Sequence, residues 1–123
     1  MRFMMLVKSS ENAPPPPPAL YAAIGQLAQE MGQQGILLDM GGLAHSQQGA
    51  RIRLAKSKLA RTDGPFVETK ELVGGFAVMQ ANSRDEALEL GRRFMQVHAD
   101  VLGPEHEVEL EIRQILDPPG RSA

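Results

Sequence analysis

Cysteine and tryptophan are both absent from the 123 residues, and aromatic side chains make up only 4% of them. No thiol nucleophile, disulfide or thiolate-bound metal can form, and nothing in the sequence points to an oxidising compartment. So few aromatics leave little to stack against nucleic-acid bases. A charge of one sign is missing as well. Thirteen Lys and Arg stand against fifteen Asp and Glu, a formal net charge of -2, so no global field draws the chain to nucleic acid or to an anionic membrane. Neither partner is expected. The apolar run near the start, FMMLV at 3–7, is ended by Lys8, too early for a secretory core or a membrane span, and the cytoplasm is the expected location.

What is present is an ordinary globular composition, 42% hydrophobic and 23% charged, in a chain sized for one domain. That domain is expected over 1–116, with 117–123 as a loose tail. FMMLV reads as a strand covered on both faces. PPPPP at 14–18 cannot donate backbone hydrogen bonds and reads as a short polyproline II arm leading stiffly into a helix, with Pro18 near its first turn. Leu20, Ile24, Leu27 and Met31 recur at helical spacing, and Gly35 supplies the stop. ILLDM at 36–40 is a second strand, followed by the polar loop GGLAHSQQG. RIRL and LART flank AKSK in a small basic hairpin with Arg51, Arg53, Lys56, Lys58 and Arg61.

The segment ELVGGFAVMQA holds another strand apolar on both faces, Phe76 and Val78 on one side, Ala77 and Met79 on the other, with Gly74 and Gly75 marking a bulge or a close backbone approach. Ser83 and Glu86 form a capping box for a second helix, whose inner stripe takes in Ala87, Gly91, Phe94, Met95, His98 and Leu102. In EVELEIRQI, Val108, Leu110 and Ile112 alternate with Glu109, Glu111 and Arg113. The order strand, helix, strand, hairpin, strand, helix, strand is that of a ferredoxin-like α+β domain. Two helices cover one face of such a sheet. The apolar residues on the other face predict a homodimer packed sheet against sheet, with Glu111 and Arg113 lining a cleft there or pairing with each other.

No G-x-G-x-x-G, P-loop or G-x-S-x-G pattern occurs, and His45, His98 and His106 do not share a helix face at metal-ligand spacing. No cofactor or metal is expected. His98 falls on the packed stripe late in its helix and reads as structural. His45 lies in a polar loop, where an imidazole could exchange protons near neutral pH.

The densest feature is RTDGPFVETKE, 61–71. Asp63 can bond the backbone ahead of it, Gly64 before Pro65 keeps the chain out of helical geometry, and Phe66 can anchor the corner in the core. If the following run is extended, Glu68 and Lys70 project to one side and Thr69 and Glu71 to the other. DGPFVETKE closely resembles the DGPFAETKE signature of the YCII-related family, in its DGPF-domain branch. MRFMMLV, GARIRL, ELVGGFAVMQ and EIRQI extend the resemblance over most of the chain. It implies a dimeric α+β barrel of ferredoxin-like protomers. The His and Asp pair discussed for the YCII branch cannot be carried over, because ALYAAIGQLAQE has no His and GGLAHSQQG no Asp. Asp63, Gly64, Pro65, Phe66, Glu68, Thr69, Lys70, Glu71 and Arg113 do match the DGPF branch, which the resemblance also places beside sigma factors of the extracytoplasmic type.

Two functions are therefore expected of one charged corner. One is cofactor-independent acid–base chemistry, an elimination or isomerisation near the dimer interface, with Asp63 or Glu68 as proton acceptor and His45 in reserve. Lys70 and Arg113 would then hold a small anionic substrate, with Phe66 and Thr69 beside it. The alternative is a non-catalytic ligand-binding or regulatory module.

Overall fold

The computed structural model describes residues 1–66 and 72–118. Strands β1 (Arg2–Ser9), β2 (Leu37–Gly42), β5 (Leu72–Gln80) and β6 (Glu109–Ile115) form one antiparallel sheet in the order β2-β5-β1-β6. Strands β3 (Ala50–Ala55) and β4 (Lys58–Asp63) form a separate hairpin between β2 and β5 in sequence. With helices α1 (Pro18–Gln33) and α2 (Arg84–Val101), this is the ferredoxin-like α+β fold that the element order implies.

Local chemistry explains the boundaries. Pro18 opens α1, where its missing N–H costs nothing, and Pro17 before it is extended at φ -67°, ψ 152°. Gly35 closes the helix at φ +74°, and Ile36 N–H reaches back to Met31 O at 2.9 Å, so α1 ends in a Schellman turn. Ser83 caps α2 by accepting from Glu86 N at 3.1 Å. β2 runs to Gly42, two residues beyond the expected end, because Gly41 and Gly42 pair with Phe76 and Gly75. The hairpin turn is tighter than AKSK implied. It is Lys56–Ser57 alone, both with positive φ (51° and 63°), the left-handed pair that a two-residue turn requires, here without the Gly or Asn that usually marks it.

The core lies between helices and sheet. Phe3, Met5, Ala77 and Met79 face it from the central strands, with Leu27 and Met31 of α1 and Phe94 of α2 opposite. Met5, Met31 and Met79 are the largest fully buried side chains, flexible thioethers that fill an irregular interlayer space. Leu110 and Ile112 pack against this core, as the alternation of β6 predicts. Gly74 and Gly75 do both things expected of them. The β1–β5 register shifts between Val7 and Lys8, opposite Gly74, and a Cβ on Gly75 would stand 3.1 Å from Gly41 O.

The sheet face away from the helices carries Met4, Leu6, Phe76 and Val78, none of them buried in the single chain. Arg2 closes the far edge by pairing with Asp117 at 2.8 Å, so the first residue of the expected tail is held. Residues 119–123 of that tail lie outside the described residues. Among the described residues no helix is long and apolar enough to cross a membrane.

Candidate functional site

Where β1 ends, β5 begins and α2 finishes, the two layers part around a cavity of about 510 Å³. The sheet supplies Val7, Met40 and Gly75, the helices supply Leu20, Ile24, Phe94 and His98, and Pro14–Pro16 of the arm wall one side. Glycines at 41, 42, 74 and 75 lie along its floor. The volume is that of a small-molecule site.

His98 is buried, and burial holds its imidazole below the ordinary value, so the neutral ring is favoured, against a smaller opposing effect of its bond to Phe94 O. Nδ1 lies 3.1 Å from that carbonyl, which assigns the ring proton to Nδ1 and leaves Nε2 with its lone pair. The ring also meets Phe94 at a centroid distance of 4.9 Å and 58°, a tilted contact that fixes its plane. The inner-stripe position of His98 is therefore as expected, and it is also a cavity wall, which helical spacing alone does not reveal. For His106 the sequence offers only that it shares no helix face with His45 or His98. Its side chain is nine-tenths buried on the same wall, and among the described residues neither ring nitrogen has a hydrogen-bond partner. Nδ1 stands 3.4 Å from Glu105 Oε1 without hydrogen-bonding geometry.

Glu11, unremarked in sequence, joins this cavity to the signature corner. Its carboxylate accepts from Ser46 N at 2.6 Å and from Ser46 Oγ at 2.5 Å. These bonds lower its pKa, the side-chain bond most, then the backbone one, against desolvation, with His45 adding a smaller effect in the same direction. Ser46 Oγ in turn accepts from Phe66 N at 3.3 Å, and Gly49 O accepts from Gly64 N at 2.9 Å. A Cβ on Gly64 would overlap the Ser46 carbonyl. The glycine of the signature is required by that carbonyl.

The expected site residues divide. His45 caps the short 3-10 turn Ser46–Gln48, accepting at Nδ1 from Gln47 N at 3.0 Å, with Nε2 3.5 Å from Glu11 Oε1. Among the described residues Asp63 does not bond the backbone ahead of it. Its two oxygens accept from Arg61 Nε and Nη2 at 2.8 and 3.0 Å, a better donor set than a turn amide. Phe66 does not enter the core either; its ring lies under the Arg51 guanidinium, 3.8 Å from the centroid, and against Gly49. Arg113 sits on the open sheet face and pairs with Glu111 at 3.0 Å, as one of the two expectations had it. Lys8 pairs with the same carboxylate at 3.2 Å, and the Glu111 pKa is lowered chiefly by Arg113 and then by Lys8. Among the described residues no hydrogen bond or ion pair joins Arg113 to Asp63, Phe66 or His45. Glu68, Thr69 and Lys70 lie outside the described residues.

The model of the YCII-related domain matches residues 1–105. The chain belongs to the YCII-related family. No curated protein matches it. Within this YCII-related chain the match takes in the cavity's sheet and helix walls and the DGPF corner, while His106 and Arg113 fall after it.

Proposed function

We propose that this YCII-related protein is a cofactor-independent small-molecule enzyme that moves a proton within the 510 Å³ cavity, with His98 as the base, in a homodimer whose interface lies near by. The observation that carries the reading is His98 itself: a neutral imidazole on the cavity wall, its tautomer set by Phe94 O. Nε2 would take a proton from a carbon beside a carbonyl, and the bonding pair would pass into an enolate. Return of the proton to a conjugated carbon gives isomerisation, and departure of a leaving group gives elimination. The homodimer is supported by Met4, Leu6, Phe76 and Val78 on the sheet face that the helices leave uncovered.

Deuterium uptake by small cyclic ketones and enones in D2O, followed by NMR, tests the chemistry. Wild-type protein accelerates uptake, and His98→Gln, which keeps a polar side chain of similar reach, loses the acceleration by about a hundredfold. Equal rates for the two proteins would refute the assignment of His98. Light scattering should give twice the chain mass.

A second reading has its own observation. On the hairpin, Ile52, Leu54 and Leu59 are 69–73% exposed beside the basic Arg53, Lys56 and Lys58. That surface suits a non-catalytic ligand-binding or regulatory module acting with an extracytoplasmic-type sigma factor. Removing the three aliphatic side chains would then abolish association with the sigma factor and leave deuterium uptake intact.

A further inference from the structure

The near balance of charge over the whole chain conceals a local excess. Residues 50–63 carry five Lys and Arg against one Asp, while the rest of the chain carries eight against fourteen Asp and Glu. From this imbalance and the register of the hairpin we infer that β3 and β4 form an arm that docks on an anionic lipid surface, independently of the chemistry in the cavity.

The register divides the arm into two sides. Ile52 and Leu54 alternate with Arg51 and Arg53, and Leu59 stands opposite Leu54, so the three aliphatic side chains share one side. All three are more than two-thirds exposed. Arg61 on that side pairs with Asp63, which leaves it nearly neutral. Arg53 and Lys58 project from the other side, and Lys56 stands in the turn. Among the described residues none of these three cations has an ion-pair partner. Apolar side chains backed by Lys and Arg are what settle at the boundary between headgroups and acyl chains, as in amphipathic surface helices.

Distance lets the arm act against the charge of the body. Six extended residues span about 20 Å, more than twice the screening length of about 8 Å at physiological ionic strength. The arm therefore feels an anionic surface from which the acidic remainder of the chain, beyond its root, is largely screened. Each Lys or Arg beside such a surface strengthens binding about fivefold. Other occupants fit less well. Nucleic acid offers phosphates to the cations but nothing to the aliphatic side, and the arm has no aromatic residue to stack on a base. The cores of protein interfaces favour aromatic residues, Met and Arg and disfavour Lys; the arm has Arg and two Lys, but no aromatic residue or Met. The apolar sheet face of a second copy is already occupied in the homodimer proposed above.

Flotation of the full-length protein with vesicles tests the arm. Vesicles of phosphatidylcholine containing phosphatidylserine should bind wild-type protein at least about tenfold more tightly than phosphatidylcholine alone, and concentrated salt should erase the difference. Lys56→Glu combined with Lys58→Glu should remove that preference. Ile52→Ser, Leu54→Ser and Leu59→Ser in one chain should weaken binding to the anionic vesicles about tenfold or more. All the substituted side chains are exposed, so both variants should keep the wild-type circular dichroism. Wild-type protein that binds neither vesicle, or anionic-vesicle binding that survives unchanged in either variant, overturns the inference. So does equal affinity for duplex DNA that the aliphatic variant retains, since the arm would then read any polyanion. Association of a sigma factor through the arm without vesicle binding assigns the surface to the second reading above and overturns this one. Should the variants not fold, the contrast between the two vesicles on wild-type protein, and its loss in salt, still decide.

Discussion

The cavity end of the sheet and the β3–β4 hairpin are built by opposite rules. Around the cavity, β1 and β5 are paired on both sides, thioethers and Phe94 fill the space between layers, and the polar groups His98 and Glu11 hold defined partners. Every residue of β3 and β4 is exposed, and their aliphatic side chains face away from the core. A two-stranded hairpin is marginal by itself, so this one depends on its root. That root is the DGPF corner, bonded through Ser46 to Glu11 on the cavity wall. The signature thus reads as a joint between a packed body and a projecting arm.

The contrast is broken most forcefully in the core. Met5→Ala should cost about 2–5 kcal/mol in chemical denaturation, whereas Ile52→Ala on the arm should stay within about 0.5 kcal/mol. Comparable losses at both sites would show that the arm is packed in solution. Gly64→Ala attacks the joint: its Cβ must displace the Ser46 carbonyl, and a loss of about 1–3 kcal/mol is expected, with faster proteolysis within 50–63 than in wild type.

A smaller effect appears with pH. The pKa of Glu11 is depressed below 4.5 in the folded chain, so its contribution is present above that value and is lost as pH falls through the folded pKa. The melting temperature of Glu11→Gln should therefore lie below that of wild type at neutral pH and converge with it in acid. His98, depressed below 6.5, favours the folded state fully above that value and loses its contribution as pH falls through the folded pKa, a dependence that His98→Gln should remove. The smallest effect belongs to Arg113→Ala. Its side chain is 72% exposed and solvent screens the pair with Glu111, so no resolvable change in melting temperature is expected.

The fold was legible because its signals are local and repetitive. Leu20, Leu27 and Met31 mark the inner face of α1, Ser83 its successor's cap, and Leu110 and Ile112 the inner face of β6, all from neighbours within a few residues. The cavity was less legible because its walls come from distant parts of the chain. Glu11 acquires its meaning from Ser46, 35 residues away, and His106 from a burial that no spacing encodes. Phe66 escapes the sequence for a related reason: its partner Arg51 lies 15 residues earlier on the hairpin, whereas Asp63 meets Arg61 on its own strand two residues back, a local contact that the turn chemistry of the motif obscures.

Pro14–Pro16 are more than a lead into α1. A wall made of residues without N–H groups presents no donor for which a bound molecule could compete, so it can bound the chamber while leaving recognition to the opposite side. Each residue of a polyproline II segment adds about 3.1 Å. Inserting or deleting one proline would thus slide Glu11 against α1 by a fixed increment, a length adjustment by which related chains could resize the chamber with its floor unchanged.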